Sequence, residues 1–113
     1  MSADPSPIFV KTYDLLAWLI PVTLGFPQSQ RFVLAQRLQQ AALDVQEALI
    51  AAGKTQRAER RRHLLQADIR LEQLRIAWRL SATLELVAPG RYEHGARLID
   101  EVGRLLGGWL ASE

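Results

Sequence analysis

Three breaks built from glycine and proline divide this chain, and each stretch between them repeats its apolar residues at helical spacing. The breaks are Gly25-Phe26-Pro27, Gly53 and Pro89-Gly90. They predict helices over about Pro7–Leu24, Gln28–Ala52, Thr55–Val87 and Tyr92–Ala111. In the second, Phe32, Ala35, Leu38, Ala42, Val45 and Leu49 form one stripe. In the fourth, Ile99, Val102, Leu106 and Leu110 do so, widened by Leu98, Leu105 and Trp109. No stretch alternates as a half-buried strand does. Short connections between long neighbours favour antiparallel packing. The expected fold is all-α, an up-down-up-down antiparallel four-helix bundle. It forms one domain over residues 7–113, with residues 1–6 a flexible N-terminus. Pro21 should fall in the last turn of the first helix or end it early. Ser29 is placed as an N-cap and Gly53 as a left-handed C-cap. Trp18, Trp78 and Trp109, on the first, third and fourth helices, read as a layered aromatic core.

Composition narrows the chemistry. The chain has 113 residues, 49% of them hydrophobic, enough for a real core. It has no cysteine, which excludes disulfides, thiolate metal sites and cysteine nucleophiles and fits a reducing cytoplasm. The start MSADPSPIF lacks the basic residues of a signal peptide. The longest apolar run, LLAWLIPVTLGF, covers twelve positions, too short to cross a bilayer. A soluble cytoplasmic protein with no membrane partner is expected.

A carboxylate-bridged metal site in a bundle needs Glu-x-x-His, and neither His63 nor His94 has an acidic residue three positions before it. Arg57 and His63 have roughly the spacing of a small helical nuclease, but Ala58 stands where a polar residue is needed. No nucleophile–base pairing is visible. The glycines of IDEVGRLLGGWL, Gly103, Gly107 and Gly108, lack the lysine and the preceding strand of a phosphate loop. No catalytic residue, metal or cofactor is expected, and the chain reads as a non-enzyme.

Net charge is only +2, but it is unevenly placed. From Lys54 to Arg79 there are eight basic and three acidic residues, a net +5, which leaves −3 elsewhere. Twelve of the fourteen basic residues are arginine, the better bidentate donor to phosphate or carboxylate. An acidic partner is implied, nucleic acid or protein. The candidate contacts are Arg57, Arg60, Arg61, Arg62, Arg70, Arg75 and Arg79. Relative to Arg75, the positions of Arg57, Arg61, Asp68, Glu72 and Arg79 fall within ~60° on a helical wheel. That face is either a solvated one laced with ion pairs or, at Arg75 and Arg79, the lining of an interface. The wide apolar stripes predict a homo-oligomer. Gly103 and Gly107, four apart, would let another helix backbone come close, with Gly108 and Trp109 beside them and the same bundle as the favoured neighbour.

Three blocks carry a family resemblance: GFPQSQRFVLAQRLQQAALDVQEALIAAG, LLQADIRLEQLRIAWRL and YEHGARLIDEVGRLLGGWL. Together they resemble the accessory variability determinant (Avd) of diversity-generating retroelements. That family lies within the four-helix-bundle group related to proteins encoded in ribosomal RNA intervening sequences. The resemblance implies a homopentameric barrel without a catalytic centre. It also implies binding to the reverse transcriptase of the same locus and to template RNA or other nucleic acid, in support of mutagenic cDNA synthesis. Arg75 and Arg79 match the leucine–arginine block, as candidate polymerase or RNA contacts. Gly103, Arg104, Gly107, Gly108 and Trp109 match the terminal motif. The alternative is an RNA-binding or scaffolding bundle of the intervening-sequence type with no retroelement partner.

Overall fold

A computed structural model of the chain describes residues 6–113, with side chains at positions 7–29 and 33–113. Four helical rods result. Helix α1 spans Ser6–Leu24. Helix α2 is one rod in three parts: Gln28–Gln30, a π-helical turn Arg31–Ala35, and Gln36–Gly53. Helix α3 spans Arg57–Thr83 and α4 spans Pro89–Ser112. No strand occurs among the described residues. Of the tail expected over residues 1–6, positions 1–5 lie outside the described residues, and Ser6 already opens α1. The side chain of Phe32 also lies outside them.

Each helix packs mainly on two others: α1 on α2 and α4, and α3 on α2 and α4. Contacts between α3 and α4 include Trp78 with Gly95, Leu71 with Gly103 and Arg60 with Glu113, so residue numbers rise along one helix as they fall along the other. Phe9 with Trp109 and Trp18 with His94 follow the same rule between α1 and α4. The core runs the length of the bundle, from Ile8, Leu49, Ala52 and Leu106 through Leu15, Val45, Leu71 and Val102 to Leu19, Leu38, Trp78 and Phe26. Among the described residues, the buried polar side chains Thr12, Thr23 and Ser81 are satisfied locally. Each hydroxyl donates to a backbone carbonyl three or four residues back, Ile8, Ile20 and Ala77 respectively.

Helix ends depart from the expected ones for definable reasons. The third helix stops at Thr83, four residues short of Val87. Glu85 takes φ 58°, the amide of Leu86 donates to Ser81 O (2.9 Å) and that of Glu85 to Ala82 O (3.0 Å). This is a Schellman close with glutamate in the place usually given to glycine. Pro89, read as a breaker, is instead the first residue of α4, where its missing N–H costs nothing. Gly53 has no positive φ and is the last residue of α2. It leaves room for Phe9, whose ring lies 3.4 Å from where a Cβ would stand. Ser29 sits inside the first turn of α2 rather than capping it. Thr55 belongs to the close of α2, its hydroxyl donating to Ala51 O at 2.8 Å. Pro21 lies within α1 on an exposed face, where the carbonyl it leaves unbonded has access to water.

The twelve-residue apolar run understates α1. Its window Pro7–Leu24 has mean hydropathy 1.3 over 18 residues, long and apolar enough to cross a membrane by length and composition. In this fold Ile8, Leu15, Leu16 and Leu19 are buried in the core, while Val10, Tyr13 and Leu24 are 57%, 66% and 58% exposed.

Candidate macromolecular interface

Helix α3 is two-faced in an unusual way. Leu64, Ala67, Leu71, Leu74, Trp78 and Ser81 are buried. Diametrically opposite, Leu65, Ile69, Ile76 and Leu80 form a second apolar row, 44–54% exposed. Arginines flank this outer row. Arg61, Arg62 and Arg79 are exposed and make no ion pair or side-chain hydrogen bond among the described residues. Arg57 is likewise exposed, and its φ of 57° puts the first residue of α3 in the left-handed region. Between α2 and α3 an apolar groove of about 420 Å³ is lined by Val33, Leu34, Ile76 and Leu80, with Arg37 and Arg70 at its edge.

The other three candidate arginines are engaged within the bundle. Arg75 reaches from α3 to α4: Nη1 donates to Glu72 Oε1 at 2.8 Å and Nη2 lies 3.5 Å from Asp100 Oδ1. Arg70 donates to Gln73 Oε1 at 3.1 Å and lies 3.9 Å from Asp44. Arg60 is the most embedded. Its Nε donates to Ala52 O (2.9 Å) and Thr55 O (2.8 Å) at the close of α2, where Ala52 O also accepts from the Thr55 amide at 3.3 Å. Its guanidinium lies 5.9 Å from the Trp109 ring centroid and 3.5 Å from Glu113. Arg75 and Arg79 meet at a second groove, about 230 Å³, in the α3–α4 seam beside Trp78 and Tyr92.

The terminal glycines do not act as one unit. A Cβ on Gly103 would stand 2.9 Å from Arg75 Nη2 and 3.4 Å from Leu71, so this glycine makes room for the arginine. Gly107 and Gly108 meet nothing within 4 Å. The close backbone approach expected there from the same bundle is absent, because both lie on the exposed side of α4. Trp109 is half-buried, edge-on to Phe9 at 6.1 Å.

The glycine that does carry a close approach is Gly95, which the sequence reading passed over. A Cβ there would lie 2.6–2.8 Å from the Trp78 indole. A signal was present: Gly95 falls four residues before Ile99, on the core stripe itself, with no turn-forming neighbour. Trp78 is fixed by Nε1 donating to Tyr92 O at 2.9 Å, by Trp18 edge-on at 5.8 Å and by Tyr92 stacked at 6.1 Å. The tryptophans therefore form no single layered core. Trp18 and Trp78 share one end and Trp109 holds the other.

On the outer face of α4, Arg104 donates to Glu101 at 2.7 and 3.3 Å. That hydrogen bond holds the Glu101 carboxyl below its usual range and Arg104 above its own. Among the described residues no group of three His, Asp or Glu side chains is placed to hold a metal ion. What the surface offers is unpaired guanidinium beside exposed aliphatic side chains, the composition of a macromolecular contact rather than of a small-molecule site.

The family model described as bAvd-like matches residues 8–113. No curated protein matches the chain. With nearly its whole length matched, the chain belongs to the bAvd-like family.

Proposed function

We propose that this bAvd-like protein is a non-enzymatic accessory factor of a diversity-generating retroelement. It binds the reverse transcriptase of its locus and the template RNA, and supports mutagenic cDNA synthesis as a cytoplasmic homo-oligomer, a pentamer. The observation that carries this is the family match over residues 8–113. The unpaired arginines of α3 are in keeping with it, since exposed guanidinium suits both a polyanion and an acidic protein surface.

Within the proposal Arg79 is the first contact to test, because its side chain is exposed and has no partner among the described residues. Arg75 lies beside it in the seam groove. Tagged protein is co-expressed with the polymerase of the same locus and recovered. Wild type should retain the polymerase. Arg79→Glu, alone and with Arg75→Glu, should lose it while far-UV circular dichroism stays helical. Undiminished recovery overturns the arginine assignment. A locus with no reverse transcriptase and no paired template and variable repeats overturns the retroelement reading itself. RNA affinity should fall steeply with salt, since counterion release drives phosphate contacts.

A further inference from the structure

We infer that copies of this chain join ridge into groove: the outer row of α3 seats in the channel between α1 and α2 of the next copy. The inference deepens the assembly part of the proposed function and rests on it; the two surfaces come from geometry alone.

The ridge is Leu65, Ile69, Ile76 and Leu80, which face away from the core. Fifteen residues separate its ends, about 22 Å of helix. The groove is about 380 Å³, lined by Tyr13, Ala17, Ile20 and Pro21 of α1 and Leu43 of α2. Val10 and Leu24, both more than half exposed, extend its α1 bank over fourteen residues, about 21 Å. The two lengths agree. So much exposed aliphatic surface in two rows is beyond the scattered residues of an ordinary monomer surface.

Charge matches as well. Arg70 contacts α2 and Arg75 contacts α4, which marks the two flanks of α3. By helical position Arg62 and Glu59 lie on the α2 flank of the ridge and offset each other, and Arg61 and Arg79 lie on the α4 flank. Asp68 subtracts one charge from the α4 flank, where Glu72 is paired with Arg75. The α1 bank of the groove carries Asp14, exposed and in no ion pair among the described residues, whereas Glu47 of α2 lines the α2–α3 seam. Lys11 of α1 acts on Glu101 of α4 instead, away from the groove. The net positive α4 flank of the ridge thus complements the acidic α1 bank of the groove.

Ridge and groove are different patches, the ridge on α3 and the groove on α1 and α2, so the contact is heterologous. It closes into a ring or runs on as a filament. It also covers the exposed face of α1.

The test uses two single-face variants of the full chain. Ile76→Asp spoils the ridge and leaves the groove; Leu43→Asp spoils the groove and leaves the ridge. Ile69→Asp serves as a second ridge variant. Light scattering gives the mass, and circular dichroism reports the fold of each. Wild type should be an oligomer, and each variant alone a helical monomer of 12.7 kDa. Mixed, a ridge variant and a groove variant retain one good contact between them and should form a 1:1 dimer of twice that mass. A monomeric wild type overturns self-assembly as a whole. An oligomeric wild type whose folded variants also stay assembled overturns the two surfaces only. Folded monomeric variants that form no mixed dimer overturn the pairing of ridge with groove.

Discussion

Gly95→Ala puts the packing at the Trp78 end of the bundle to a quantitative test. The added Cβ would stand 2.6 Å from Trp78 Cζ2 and 2.7 Å from Cε2. Ordinary carbon contacts are about 3.5–4.0 Å. The ring has nowhere to go: it is 1% exposed, hydrogen-bonded to Tyr92 O and packed against Trp18 and Tyr92. Overpacking of this kind costs about 1–3 kcal/mol. Displacing the indole also weakens its hydrogen bond, worth about 1 kcal/mol. Against this, alanine is about 1 kcal/mol better than glycine inside a helix. The balance is a loss of about 2 kcal/mol, roughly a thirtyfold shift toward the unfolded state. Urea unfolding followed by circular dichroism measures it. Gly107→Ala is the control, since nothing lies within 4 Å of its added methyl. It should gain about 1 kcal/mol from propensity alone. In a Trp78→Phe background the cost of Gly95→Ala should shrink, because the two residues are in contact. A Gly95→Ala protein as stable as wild type, or an equal cost in both backgrounds, would refute the argument.

Other perturbations separate similar residues by their surroundings. Glu85→Gly should stabilise the protein by about 1 kcal/mol in the same urea assay, because a side chain at φ 58° is strained and glycine is not. Arg60→Ala should lose about 2 kcal/mol through its charged hydrogen bonds to Ala52 and Thr55, whereas Arg61→Ala should stay within about 0.5 kcal/mol. For Glu101, a carboxyl held below its usual value by Arg104 contributes stability above the unfolded-state pKa and loses it as pH falls through the folded-state pKa. Carboxyl NMR titration should show a Glu101 midpoint below 4.5, and Arg104→Ala should return it toward that value.

Much of the architecture was legible in the chain because it depends on local chemistry. Apolar residues at helical spacing, with breaks at Gly25-Phe26-Pro27, Gly53 and Pro89-Gly90, are enough to specify four rods and no strand. Helix ends were less legible. A glutamate can close a Schellman motif, and a proline that looks like a breaker can instead open the next helix. The basic bias of α3 was plain in sequence, but seven arginines of one type carry no mark of which are free.

That distinction belongs to tertiary structure. Arg60 is occupied because the close of α2 brings two carbonyls within reach, and Arg75 because Gly103 of another helix leaves room for its guanidinium. Among the described residues no carboxylate pairs with Arg61, Arg62 or Arg79. The glycines divide in the same way. Gly95 and Gly107 have the same intrinsic freedom, and only the indole lying against one of them makes the first indispensable and the second replaceable. Spacing along a chain sets which residues share a face of a helix. What meets that face depends on the packing of segments distant in sequence.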